Sequence, residues 1–453
     1  MVAEARTGLG PILGASAAIA LQQGLTALAA LASSALAARA LGPDGLGQMN
    51  LAWTQAWLLT NLCALGLGSA LVYQVSGGRL AAADAAALSL AATALLGGLG
   101  AGLGYLWPGS DAAEPTLRLA TAACVPALIL QQLLTNLVQG LRAFRLYNGA
   151  LALGALATLA TVALQVALGA PTPAAFLFSY AAAQGLCSAI LLRGLARRKL
   201  LAWPPRGRLR ASWRDARSYA LRAWAGLLIA YLIYRTDVFI LARCRGAAEV
   251  GIYSIASGVG ERLWLLSFAA SAALLPRVAQ QVDANSAPTA QVTRLVLASL
   301  TGLAALLGAV APWLIPFLFG EAYRSAIVCL WLLLPGLVLM GAGRVLSQAI
   351  AGAGRPGLNA CVGLLTLSLA VTTSLLWAPG WGAAGVALAT SLAYIADALV
   401  KAAVYCRLTG AAPASLWRLT RADGDALGAW LTRRGCRRDP REQKTLPQKL
   451  AEM

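Results

Sequence analysis

An all-α membrane protein, with about twelve transmembrane helices in two six-helix lobes related by a pseudo-two-fold axis along the membrane normal, is the fold class this sequence predicts. Three observations predict it. The first is composition: of 453 residues, 59% are hydrophobic and 12% are charged, with a mean hydropathy of +0.69, whereas a soluble chain carries about 25% charged residues. The second is that the apolar residues fall in blocks such as ILGASAAIALQQGLTALAALASSALAA, long enough to cross about 30 Å of hydrocarbon as a helix. The third is a repeat. LGPDGLGQMNLA (Leu41 to Ala52) returns as RGAAEVGIYSIA (Arg245 to Ala256), with Gly42 on Gly246, Gly47 on Gly251, Ala52 on Ala256, and Arg39 just ahead on Arg243.

Each element follows from these. Short breaks marked by Gly, Pro and charge leave apolar cores at 12–38, 46–75, 85–107, 117–140, 146–169, 174–195, 217–241, 249–276, 291–319, 324–351, 356–377 and 381–408. Leu and Ala occupy every side of these blocks, while a membrane barrel needs strands of about ten residues alternating in polarity. The first block exceeds the apolar run of about 7–15 residues in a signal peptide, and a retained helix is expected. Lys and Arg cluster in every second connection, at Arg79, Arg142 and Arg145, Arg193 to Arg217, Arg277 and Arg294, and Arg355. By the positive-inside rule those connections and both termini face the cytoplasm. Arg243 and Arg245, in an outward turn, breach that rule.

The repeat divides the chain into a first lobe (1–195), a basic cytoplasmic linker (196–216), a second lobe (217–408) and a basic tail (409–453). QGLRAFRLYN (Gln139 to Asn148) and AGAGRPGLN (Ala351 to Asn359), after the fourth and tenth blocks, are a second match. Six spans is an even number, so both lobes enter from one side. In the tail, Leu416, Trp417, Leu419, Leu427, Trp430 and Leu431 suggest an interfacial helix over 414–434, with a Pro-broken, charged end that composition marks as disordered.

The net charge of +19 lies where orientation places it, with no aromatic-interleaved soluble domain, which points to anionic lipid and away from nucleic acid. Eight cysteines without a CxxC pair and no histidine at all point to isolated thiols and to no metal or other cofactor. No lysine stands in GxxxxGK[ST], which excludes a Walker-type ATPase.

Charges inside spans are costly and are candidate functional residues. Away from the first and last few residues of the spans they are Arg222, Arg235, Asp237, Glu261, Arg262, Arg344, Asp397 and Lys401, all in the second half. Arg222, near the cytoplasmic end, is expected to snorkel. Asp397 and Lys401, one helical turn apart, form an intrahelical pair or face a cavity. Arg235 and Asp237 form an interface pair or serve a gate.

The runs ALAARALGPDGLGQMNLA, YRTDVFILARCRGAAEVGIYSIASGVGERLWLLSFAASAALLPRVAQ, FGEAY and QAIAGAGRPGLN, in this order over nearly all of 1–410, resemble the bacterial oligosaccharide-lipid flippases of the multidrug/oligosaccharidyl-lipid/polysaccharide exporter superfamily. The resemblance implies a non-enzymatic inner-membrane carrier that moves undecaprenyl-diphosphate-linked oligosaccharide by alternating access, for O-antigen, exopolysaccharide or capsule. A polysaccharide polymerase and glycosyltransferases are its implied partners. Such a substrate needs cations for its diphosphate, and the arginine fork donates bidentate hydrogen bonds and keeps its charge. Arg262 and Arg344 are the expected deep diphosphate ligands, with Lys401 and Arg235 as further substrate contacts. Arg39 and Arg243 flank the outward mouth or merely anchor helix ends. Asp237, Glu261 and Asp397 are the gating or ion-coupling candidates. The resemblance departs at Ser257, Gly258 and Val259, where members often carry a basic residue; Arg262 stands a turn further on.

Two other functions remain open on the sequence. A cation-coupled drug antiporter of the same superfamily needs carboxylates well inside its helices, yet Asp44, Asp84, Asp111 and Glu114 lie in or beside connections. A membrane polysaccharide polymerase or ligase resembles chains with a sizeable outward loop, and the longest connection here faces inward.

Overall fold

The computed structural model describes residues 9–107, 114–201, 205–265, 287–418, 420 and 423, and these are helical almost throughout, with no strand among them. Helix α1 (Leu9–Cys63) bends at Gly42, where φ is 67° and ψ −179°. The Gly- and Pro-rich turn read from the sequence thus contracts to one residue. Glycine takes the positive φ without a Cβ clash, and Pro43 sits at the first position of the next helical segment. After α2 (Leu67–Ser76), α3 (Ala82–Ala92) joins α4 (Gly98–Tyr105) through a π turn at Thr93–Gly97. Then follow α5 (Pro115–Gly140), α6 (Phe144–Ala167), α7 (Pro173–Arg197), α8 (Arg206–Arg245) and α9 (Ala247–Gly260). Gly246, between α8 and α9, repeats the bend of Gly42 with φ 83° and ψ −175°. The chain continues with α10 (Ala287–Phe319), α11 (Ala326–Gly352), α12 (Pro356–Thr409), itself bent at Gly382, and a short α13 (Ala414–Trp417).

Among the described residues 9 helices are long and apolar enough to cross a membrane. Two of them, Gln22–Cys63 and Gly357–Thr409, are 42 and 53 residues long; the first joins parts of two predicted spans and the second two nearly whole ones, each across a glycine bend. Helix α9 begins the eighth span, whose residues 266–276 lie outside the described ones. The second span is not continuous as expected: Leu65 (φ 47°) and Gly66 (φ 69°) interrupt it. The cause is packing, because a Cβ on Gly66 would stand 2.2 Å from the carbonyl oxygen of Ala220 on α8. The basic connection 196–216 is also shorter than expected, since α7 runs to Arg197 and α8 starts at Arg206.

Buried side chains gather in two large clusters. One joins the second segment of α1 to α2–α7 and takes Ala216 and Ala220 from α8. The other joins α8–α12 and takes Ala37, Ala38 and Leu46 from around the bend of α1. All seven cysteines among the described residues are free thiols. We call the end of the bundle holding the Gly42, Gly246 and Gly382 bends the kinked end, and the opposite one, with the Arg-rich α7–α8 connection, the basic end.

The start of the tail is docked on the bundle. Leu416 is buried against Ala290, Leu346, Ala402 and Tyr405. Asp423 accepts from Arg294 Nε at 2.7 Å and Nη2 at 2.8 Å, and from Thr420 N at 2.8 Å. The Arg294 hydrogen bonds hold the Asp423 carboxyl well below the usual carboxylate range. A depressed carboxylate stabilises the fold above its unfolded pKa, about 3.9, and loses that contribution as pH falls through its folded value. Asp423→Asn is therefore expected to lower the melting temperature at pH 7, with the gap to the parent closing at strongly acidic pH. The rest of the predicted tail helix, beyond 423, lies outside the described residues.

Candidate substrate cavity

A cavity of 820 Å³ lies between the two clusters, walled by α1, α5, α6 and α7 on one side and by α8 and α9 on the other. On α1 its wall is the face carrying Gln22, Thr26, Ala30, Ser33 and Ala37, a stripe at helical spacing. The hydroxyls of Thr26 and Ser33 satisfy themselves on the carbonyls of Gln22 and Ala29, each at 2.8 Å. Polar groups can thereby line the cavity without breaking the helix.

Four contacts close the kinked end. Gly47 and Gly251 bring the second segment of α1 and α9 into backbone contact: a Cβ on Gly47 would be 1.7 Å from Ala247 O, and one on Gly251 2.0 Å from Pro43 O. Pro43 and Ala247 are themselves counterparts in the repeat, so the contact is reciprocal. One turn deeper, Asn50 donates to Ser254, again a counterpart pair, at 2.8 Å. Tyr323 OH donates to Ala38 O at 3.1 Å. Arg39 donates to the carbonyls of Phe317 and Leu318. Toward the basic end the wall reaches the exposed Gln139 and Phe144.

The charged wall comes from α8, within its second half, and from the turn that follows α9. Arg235 donates to both oxygens of Glu261, at 3.0 and 2.9 Å, and each of the two side chains is 22% exposed. Glu261 begins a 3₁₀ turn, Glu261–Leu263, which carries Arg262 to the same wall. Arg262 Nη1 donates to Gly258 O, and its buried Nε has no partner among the described residues. A guanidinium on a cavity wall fits an anion with several acceptor oxygens.

The structure thus brings Arg235, Glu261 and Arg262 together and separates the other predicted residues from them. Arg344 does not line the cavity; its guanidinium carbon stands 4.0 Å from the Trp264 ring centre and 5.2 Å from that of Tyr234, where aromatic faces offset its burial. Lys401 pairs with Asp397 at 2.6 Å, and Asp397 also accepts from Thr366 at 3.0 Å, so the intrahelical reading holds. Asp237 is buried beneath the Tyr253 hydroxyl and its own Val238 N–H, and Arg235 pairs with Glu261 in its place. Arg39 covers the last carbonyls of α10, the helix-anchoring alternative. Arg243 is exposed in the last turn of α8, and Arg222 donates to Ser218 O at 3.0 Å. The neutral wall was not singled out from sequence, although Gln22, Thr26 and Ser33 stand on one face of an otherwise apolar helix.

The architecture is that of a known class of membrane carriers. A multidrug-resistance MATE family transporter of the MOP superfamily, in an inward-facing conformation, superposes with a TM-score of 0.66 at 13% identity, covering 85% of this chain and 94% of that one. Lipid II flippase MurJ, in an inward closed conformation, gives 0.67 at 13% identity, covering 85% and 86%. The Vibrio cholerae MATE transporter VcmN in its bent form gives 0.54 at 15%, covering 89% and 99%. At such identities the likeness is one of fold. No curated protein matches the sequence. The polysaccharide biosynthesis protein family matches residues 13–282, more than half of the chain, and this multi-pass membrane protein belongs to that family.

Proposed function

We propose that the protein is a flippase that carries polyprenyl-diphosphate-linked oligosaccharide across the bacterial inner membrane by alternating access. The observation that carries this reading is the placing of two guanidinium groups, Arg262 and the Glu261-paired Arg235, together on the cavity wall. A diphosphate offers acceptor oxygens to the Arg262 guanidinium and competes with Glu261 for the Arg235 fork. Membership of a polysaccharide biosynthesis family supports a glycan cargo, and the fold shared with MurJ supports a lipid-linked one. The O-antigen, exopolysaccharide or capsule pathway is the expected setting. Glu261, the carboxylate in the cavity, is the coupling candidate; Asp237 and Asp397, held away from the cavity, would act through the packing of α8 and α12.

In this reading the basic end and both termini face the cytoplasm, where anionic lipid meets the Arg-rich connections. The experiment is made in cells. Depletion of the protein is expected to leave the lipid-linked oligosaccharide on the cytoplasmic leaflet. On a cysteine-free background, Thr172→Cys should be labelled from outside and Arg208→Cys protected. The opposite labelling pattern, or unchanged surface polysaccharide on depletion, would overturn the proposal.

A further inference from the structure

The cavity is chemically divided. Every charged side chain on its wall, Arg235, Glu261 and Arg262, belongs to the α8–α9 side, and the wall built by α1, α5, α6 and α7 has none among the described residues. That wall carries rings and amides instead. Trp53 meets Tyr180 edge to face at 6.3 Å and Trp57 at 6.1 Å, so its indole is held in a fixed orientation while one side faces the cavity. Nearer the basic end, Asn148, Gln139 and Gln23 line the cavity, and none of their side-chain amides has a hydrogen-bond partner among the described residues.

An amide offers both donors and an acceptor, as a sugar hydroxyl does, and an indole offers a rigid apolar surface with a polar edge. Pockets for small polar ligands combine such rings with a few placed polar groups. The Arg235 guanidinium carbon lies 6.0 Å from the Trp53 ring centre. A phosphate drawn to Arg235 and Arg262 therefore sets the sugar bonded to it against Trp53, with later sugars running toward Asn148 and Gln139.

Building on the flippase reading, we infer that the α1, α5, α6 and α7 wall is a glycan-binding face: Trp53 stacks on the sugar next to the diphosphate, the amides hold the hydroxyls beyond it, and the sugars it takes are uncharged. A uronic acid would place a carboxylate on a wall without a cation, losing water for no compensating partner.

The test uses the full chain in nanodiscs and three probes: a short polyprenyl diphosphate, the same lipid bearing a neutral oligosaccharide, and the same lipid bearing a uronic acid. The parent protein is expected to bind the neutral glycolipid about tenfold tighter than the sugar-free lipid, and the acidic one no tighter than the sugar-free lipid. Trp53→Ala should bring the neutral glycolipid down to the sugar-free affinity, Trp53→Phe should restore much of the difference, and Asn148→Ala should reduce it. The inference is overturned if Trp53→Ala and Asn148→Ala keep the full preference for the glycolipid, or if the acidic probe binds as tightly as the neutral one. Failure of the parent to bind even the sugar-free lipid would overturn the flippase reading itself, a separate outcome.

Discussion

Arg262→Ala is expected to weaken binding of a polyprenyl diphosphate by about 10- to 100-fold, because a charged donor on phosphate contributes roughly 1.5–3 kcal/mol per contact. Arg235→Ala should weaken it too, but it also leaves Glu261 unpaired in the cavity and adds a like charge against the substrate. Arg344→Ala is the informative contrast. Its guanidinium stands over Trp264 and Tyr234 outside the cavity wall, so its loss is expected to lower thermal stability and leave diphosphate affinity within about threefold of the parent, less than the 1.4 kcal/mol that a tenfold change represents. Calorimetric titration of the three variants, each with a melting curve, separates these outcomes. Equal affinity loss in Arg344→Ala and Arg262→Ala would place the anion site elsewhere.

Gly251→Val is expected to open the kinked end. A Cβ at that position would overlap the backbone at Pro43 O, 2.0 Å away, and backbone cannot swing aside as a side chain does. Overpacking of this kind typically costs about 1–3 kcal/mol, and a backbone clash belongs at the upper end. The reciprocal Gly47→Val should do the same, and the double variant should cost less than the sum, since one separation of the two helices relieves both. Gly302→Val, where nothing lies within 4 Å, is the control and should change stability only by the difference in helix propensity, a few tenths of a kcal/mol. The readouts are melting temperature in detergent and the reactivity of Asn50→Cys, which should become labelled from the kinked side in the Gly251→Val background. Continued protection of that cysteine would show that the glycine crossing is not what closes this end.

The spans were legible because a membrane helix announces itself by apolar length, a local property that needs no partner. The repeat was legible too, as Gly47 and Gly251, but its purpose was not: two glycines matter because their helices cross, and crossing is a tertiary fact. The same limit governs the charges. Arg235 pairs with Glu261, and not with Asp237 two residues away, because the bend at Gly246 folds α9 back along α8 and brings the end of one beside the middle of the other. Arg344 lacks a nearby carboxylate in sequence, which suggested a phosphate ligand; rings from α8 and the turn after α9 supply its environment instead. Arg39 could not be assigned to the carbonyls of α10, 278 residues away, from local chemistry. The neutral stripe of Gln22, Thr26 and Ser33 is present in the sequence, but uncharged polar residues on a membrane helix cost less than charged ones and so give little signal.

The most direct test of the flippase reading is reconstitution into liposomes whose outer leaflet alone is reached by an impermeant glycosidase. With polyprenyl-diphosphate-linked oligosaccharide in both leaflets, protein-free vesicles should lose about half of the glycan and stop. Vesicles bearing the parent protein are expected to proceed toward complete digestion, and those bearing Arg262→Ala to lag behind. A plateau at half with the parent protein, in vesicles where the same preparation exports a cationic dye, would contradict the account and favour a drug antiporter.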